Sequence, residues 1–130
     1  MATVLTNDGE EWVAERIAGT QGAGTNNVAT NAGTHIGIGT DATAAAKGDT
    51  ALGTEVETRA TTTVTVTGTG SSAKYQATGA AITATGARAV TEAGLFSAST
   101  TGVMFISADF SVINLATNDT LAVTFTLDPS

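Results

Sequence analysis

The sequence predicts an all-β fold: an antiparallel β-sandwich, or a jelly-roll or barrel-like domain, of about seven strands with a short N-terminal helix or arm. Three runs carry this prediction. Residues 120–127 alternate strictly, with Leu121, Val123, Phe125 and Leu127 against Thr120, Ala122, Thr124 and Thr126. Residues 104–112 place Met104, Ile106, Ala108, Phe110 and Val112 on one face, and TTTVTVT at 61–67 turns Val64 and Val66 inward. Successive strand residues point to opposite faces, so each run reads as a half-buried strand. No run has the helical period over a length that βαβ units need, and no repeat of fixed period is visible.

Composition agrees. The chain has 130 residues, Thr, Ala and Gly make up about half of it, and only 13% are charged. Thr suits strands, and Gly suits turns and bulges. A chain of this length fits one domain and buries enough surface to fold without disulfide or metal staples. It has no cysteine, which excludes thiolate chemistry. A net charge of −7 and five scattered cations, Arg16, Lys47, Arg59, Lys74 and Arg88, argue against a phosphate-backbone binder. The opening MATVLTNDGEEW lacks a basic region before an apolar run, so it is not expected to act as a secretory signal. No later stretch is apolar enough to span a membrane.

In order along the chain, residues 1–34 read as an N-terminal arm and 35–130 as the β domain. Within the arm, residues 8–18 predict a helix, with Asp8 as cap and Glu11 completing a capping box. Trp12, Val13 and Ile17 form a narrow apolar stripe, read as anchors for a partner or for the main domain. The acids Asp8, Glu10, Glu11 and Glu15 read as a solvated helix face, with docking on a basic partner as the sharper alternative. Residues 19–34 are rich in Gly, Asn and Thr and read as a loop or extended arm. HIGIGT at 35–40 is a short strand, 41–49 a loop, and 50–59 a strand or extended edge. After the strand at 61–67 come a turn at 68–72, a weaker strand at 74–85 and another at 89–96. A loop at 97–102 precedes the last two strands, which are joined through NLATND. On the 104–113 strand Phe105 and Ile113 fall opposite Met104 and Phe110, so the strand is apolar on both faces and needs cover on both. These two residues are the candidate oligomer or partner face.

Chemistry is sparse. His35 is the lone histidine, without the company a metal site or an oriented base requires. Glu55 and Glu57 sit near Arg59 and read as charges protecting an edge strand rather than as a glycosidase pair. None of GAGTNN, GIGTDA and GTGSSA matches a phosphate-binding pattern. The aspartates lack the spacing of a calcium loop. No catalytic, cofactor-binding or metal-binding residue is nominated, and no cofactor is expected.

Three phrases resemble a loose group of small structural proteins of tailed-bacteriophage virions. They are EEWVAERIAGT at 10–20, THIGIGTDATAAAKGDTALGTEV at 34–56, and AVTEAGLFSASTTGVMFISADFSVINL at 89–115. The resemblance implies a non-enzymatic virion subunit, above all a capsid decoration (cement) protein on the capsid surface. Such a protein binds the major capsid protein, often as a trimer at three-fold positions, and is made in the host cytoplasm. From charge and hydropathy, no nucleic-acid or membrane partner is expected. Related sequences are also tail-associated, so a tube, collar or fibre-attachment subunit is the alternative. A host-surface or carbohydrate-binding module is a third, disfavoured by the few aromatics.

Overall fold

A computed structural model describes residues 2–18 and 33–128. Nine strands and one α-helix follow in the order β1 (Ala2–Leu5), α1 (Asn7–Ala18), β2 (His35–Gly39), β3 (Glu55–Thr67), β4 (Lys74–Gly79), β5 (Ile82–Thr83), β6 (Arg88–Phe96), β7 (Met104–Leu115), β8 (Thr120–Leu121) and β9 (Thr124–Leu127). Seven of them form one antiparallel sheet in the order β1-β7-β6-β2-β3-β4-β9, and β5 pairs with β8 in a separate ribbon. The sheet curls until its two ends share a core. Phe125 of β9 joins Ile36, Ile38, Leu95 and Ile106 in one cluster. No ladder joins edge strands β1 and β9. The fold is therefore all-β and barrel-like, with an open seam.

Alternation predicts the strands but not their partners. The last two predicted strands do not pair with each other: β7 lies between β1 and β6, whereas β9 pairs with β4 at the far end of the sheet. The turn at 116–119, with Asn118 left-handed at φ 73°, starts a crossing over the curl rather than a hairpin ladder. The single run at 120–127 breaks at 122–123, so that its first half can pair with β5. Of the expected stretch 50–59 only residues 55–59 are strand, running on into 61–67 as the one long strand β3, and 74–85 divides into β4 and β5. Val66 is exposed, not inward, because the β3–β4 tip runs past the core.

Two irregularities in β7 overturn the single-face reading of that strand. Leu95 pairs with Ile106 and Phe96 with Met104, so Phe105 is an extra residue, a β-bulge. The bulge sends Met104 to a small cluster with Leu52 and Phe96 while Phe105 and Ile106 both enter the main core. Between the pairs Glu92↔Asp109 and Val90↔Ile113, residues 110–112 face only Thr91. That second irregularity turns residues 111–114 outward before Leu115 returns to the main core.

The described part of the arm belongs to the domain. β1 pairs with residues 106–109 of β7, and Trp12 is buried in the main core. The cap of α1 is Thr6, not Asp8: its hydroxyl accepts from the Gly9 N–H at 3.0 Å and donates to the Met104 carbonyl at 2.6 Å. Thr6 is fully buried and its own N–H reaches the Phe105 carbonyl, so the cap also bolts the helix to β7. Gly9 is required by close approach, since a Cβ there would collide with the Phe105 carbonyl oxygen. The expected loop at 19–34 lies outside the described residues except for Gly33 and Thr34.

Candidate interaction surface

The proposed anchors and faces end up in different places. Trp12 is 5% exposed, stacked on Phe105 with ring centroids 4.8 Å apart and edge-on to Tyr75 at 5.4 Å. Val13 packs against the same core. Both therefore hold α1 to its own sheet. Ile17, one helical turn on, is 83% exposed. Phe105 is corrected as a partner face: it is fully buried, and α1 supplies the cover that its side of β7 needs. Ile113 stands apart from these, 39% exposed beside Val112 at 52%.

Ile113 lines an apolar groove. Phe110 and Ser111 form one wall with it, and Leu121, Ala122, Val123 and Thr124 of the β8–β9 segment form the other, enclosing about 450 Å³. A second cleft of about 300 Å³ shares Phe110, Val123 and Thr124 and runs down the open seam to Thr3 of β1 and Thr126 of β9. Ala93, Ala108 and Phe125 line it as well. Among the described residues, no charged side chain lines either cleft. Outward display of Val112 and Ile113 follows from the 110–112 irregularity. Sequence periodicity nominates Ile113 for a partner face but misses Val112, because a strict alternation would have buried Val112 with Phe110.

The charged residues serve the frame. Glu57 has a left-handed φ of 65° at a bulge in β3, and this aims Glu55 and Glu57 at different partners. Glu57, its side chain 1% exposed, accepts from Arg88 Nε at 2.7 Å and from the Thr85 N–H and hydroxyl at 3.0 Å each. The Arg88 hydrogen bond holds its carboxyl below the usual range, against the opposing effect of burial. Glu55 receives Arg59 Nε and Nη2 at 2.7 and 2.9 Å, while Arg59 also donates to the Ala98 and Thr101 carbonyls. Its guanidinium lies 3.5 Å over the Phe96 ring. Their stretch of β3 pairs only with β2, because β4 takes residues 62–67, so the two glutamates do stand at an open edge, where both act as structural acceptors.

A small polar cavity of about 130 Å³ gathers Asp41, Asp49 and Glu92 beneath residues 41–53. Its carboxylates accept backbone N–H groups of that segment. Among the described residues no group of three His, Cys, Asp or Glu is arranged to hold a metal ion, and no helix is long and apolar enough to cross a membrane. His35 Nδ1 lies 2.9 Å from the Thr34 hydroxyl.

No family model, curated protein or solved structure matches this chain. The arrangement can bind by contact: an apolar, charge-free groove on a body whose described charges are tied into the frame.

Proposed function

We propose that this protein is a non-enzymatic virion subunit, a capsid decoration protein that binds the major capsid lattice and braces the head. The observation that carries this reading is the apolar groove lined by exposed Ile113, on a strand end that also exposes Val112. Support of a different kind comes from the phrases at 10–20, 34–56 and 89–115 and their resemblance to phage structural proteins.

A brace works by adding interface free energy at lattice seams, with no bond made or broken. Stable interfaces bury on the order of 1,200–2,000 Å² around an apolar centre ringed by polar groups. Ile113, Phe110, Leu121 and Val123 supply such a centre, exposed Val112 adds apolar surface next to Ile113 in the chain, and the Thr-rich strands supply the ring. Self-association at three-fold positions belongs to the same proposal, because one subunit bridging two lattice sites resists opening more than a subunit bound at one.

Co-sedimentation with particles that lack the protein tests this. Wild type should bind in many copies per head, and the double variant Val112→Asp, Ile113→Asp should lose binding while keeping its thermal unfolding midpoint. Undiminished binding of the folded double variant would remove the groove from the account. Binding only to tails would replace the head with the tail as the site of action.

A further inference from the structure

The polar cavity beneath residues 41–53 holds negative charge that no cation of the frame answers. It lies between that segment, which contains no strand or helix, and the face of β6 and β7 turned away from the main core. Asp41, Asp49 and Glu92 line it, and among the described residues no Lys, Arg or His does. The described cations are paired elsewhere: Lys47 with Glu10, Arg59 with Glu55, Lys74 with Asp128 and Arg88 with Glu57. A fourth acid, Asp109, stands directly opposite Glu92 in the β6–β7 register. Backbone N–H groups serve all four. Glu92 takes Gly53 at 2.9 Å, Thr54 at 2.9 Å and Asp41 at 3.1 Å, Asp41 takes Thr43 at 2.8 Å, Asp49 takes Ala46 at 2.8 Å, and Asp109 takes Ala45 at 2.9 Å. Such neutral donors satisfy hydrogen bonds without cancelling the charge. Like charges opposite each other on neighbouring strands cost stability, which a cation in the cavity would offset.

Ser107 gives a second, independent sign. It pairs with Gly94, two residues along β6 from Glu92, so it shares the face of Glu92 and lines the cavity at 5% exposure. Its hydroxyl makes no hydrogen bond among the described residues. Every described side-chain polar atom sealed from solvent does have a partner, so the Ser107 oxygen is not sealed and opens into the cavity. A buried hydroxyl of this kind calls for a partner of its own. The mouth gives access, because Thr43, Ala44 and Ala51 are exposed and Gly53 keeps the space beside Asp41 Oδ2 clear of a Cβ. The volume, about 130 Å³, far exceeds the roughly 10–15 Å³ that one water needs.

We propose that this cavity is a binding site for a primary ammonium group, held by Asp41, Asp49 and the Ser107 hydroxyl. An ammonium carries three donors and no acceptor, and these three side chains supply one acceptor each. Hydrogen bonds from the Thr43 side chain and N–H hold the Asp41 carboxyl below its usual range, so it stays anionic at neutral pH. Asp49 commits Oδ2 to its own turn, so the site presents single acceptors rather than the two-oxygen edge that matches a guanidinium fork. A bare metal ion fits less well, since no three His, Cys, Asp or Glu among the described residues are arranged to replace its water shell. The same chemistry serves a free small amine and the lysine side chain of a partner. The site is separate from the apolar groove of Ile113 and stands or falls independently of it.

Amide chemical shifts of the intact chain, titrated at neutral pH and constant ionic strength, test the site. Ethylammonium should shift the Thr43, Ala46, Gly53 and Ser107 amides saturably while Ile36 and Leu95 stay unmoved. Tetramethylammonium has the charge but no N–H donor and should give no such shifts. Nα-acetyl-lysine amide separates the sources: saturation by it as well admits a partner's lysine, and saturation by ethylammonium alone restricts the site to free amines. The double variant Asp41→Asn, Asp49→Asn keeps the turn acceptors but removes both charges. It should weaken ethylammonium binding by about tenfold or more, the scale of losing hydrogen bonds to a charged group. Ser107→Ala should weaken it by about fivefold. Should the double variant fail to fold, Ser107→Ala and the comparison of cations decide. Equal shifts with tetramethylammonium or sodium, no saturation by ethylammonium, or undiminished binding to the folded double variant would overturn the proposal.

Discussion

Replacing Trp12 by alanine separates two roles that its sequence allows, a contact held ready for a partner and a piece of the core. The structure places it in the core, 5% exposed, between Phe105 and Tyr75. A buried Trp removes roughly 150–250 Å² from water. At about 25 cal/mol per Å² this is worth about 4–6 kcal/mol, an upper bound because the unfolded chain already hides part of that surface. Measured truncations of buried Phe and Trp cost about 3–5 kcal/mol. For a chain of this size that corresponds to a midpoint lowered by about 10–20 °C. Urea unfolding followed by far-ultraviolet circular dichroism measures it in wild type and Trp12→Ala. In wild type, the fluorescence of the lone tryptophan should unfold at the same midpoint. Ile17→Ala is the internal control, since its side chain is 83% exposed and should change stability by no more than about 0.5 kcal/mol. If Trp12→Ala costs as little as Ile17→Ala, the docking of α1 on β7 is wrong and Trp12 returns to the set of partner contacts.

Other consequences follow from the same helix and from the Glu57 bulge. Gly9→Ala would stabilise an ordinary helix by about 1 kcal/mol, but here the collision with the Phe105 carbonyl should reverse the sign, as a lowered urea midpoint would show. Thr6→Ala removes both a cap and a buried hydroxyl bond, and should cost about 2–3 kcal/mol by denaturant titration, with Thr6→Ser recovering most of it. Glu57 has its folded carboxyl below the unfolded value, so its contribution is present above the unfolded carboxyl range and lost as pH falls through the folded one. Unfolding free energy measured from neutral to acid pH should therefore fall less steeply in Glu57→Gln than in wild type.

Much of the fold was legible because the clearest strands each have one wet face. Thr61, Thr63 and Thr65 are exposed while Val64 is half-buried, and Phe125 is buried between exposed Thr124 and Thr126. Period-2 patterning reports that local fact faithfully. What it does not report is which strand meets which, and those choices decide the rest. The pairing of β9 with β4 rather than with β7, the extra residue at Phe105 and the left-handed Glu57 are all settled by register across the sheet. β1 is four residues long, too short for a periodic signal. The helix was visible, but Asp8 satisfied the capping pattern as well as Thr6 could, and only the buried carbonyls of Met104 and Phe105 select Thr6. Glu92 carried a local clue: an acid beside Ala93, Gly94 and Leu95 in a strand buried over most of its length must have dedicated partners. Their identity, three N–H groups from residues 41–54, could not be read from neighbours in sequence.

We propose that this chain binds a virion lattice through the end of β7 and the β8–β9 segment. Cryo-electron microscopy of the particle tests it most directly, with the domain fitted into the map. The account predicts density on the head at lattice symmetry positions, with Val112 and Ile113 turned toward the major capsid protein or a neighbouring subunit. Density on the head with that pole facing solvent would contradict the proposed surface, and particles without density for the domain would contradict the function.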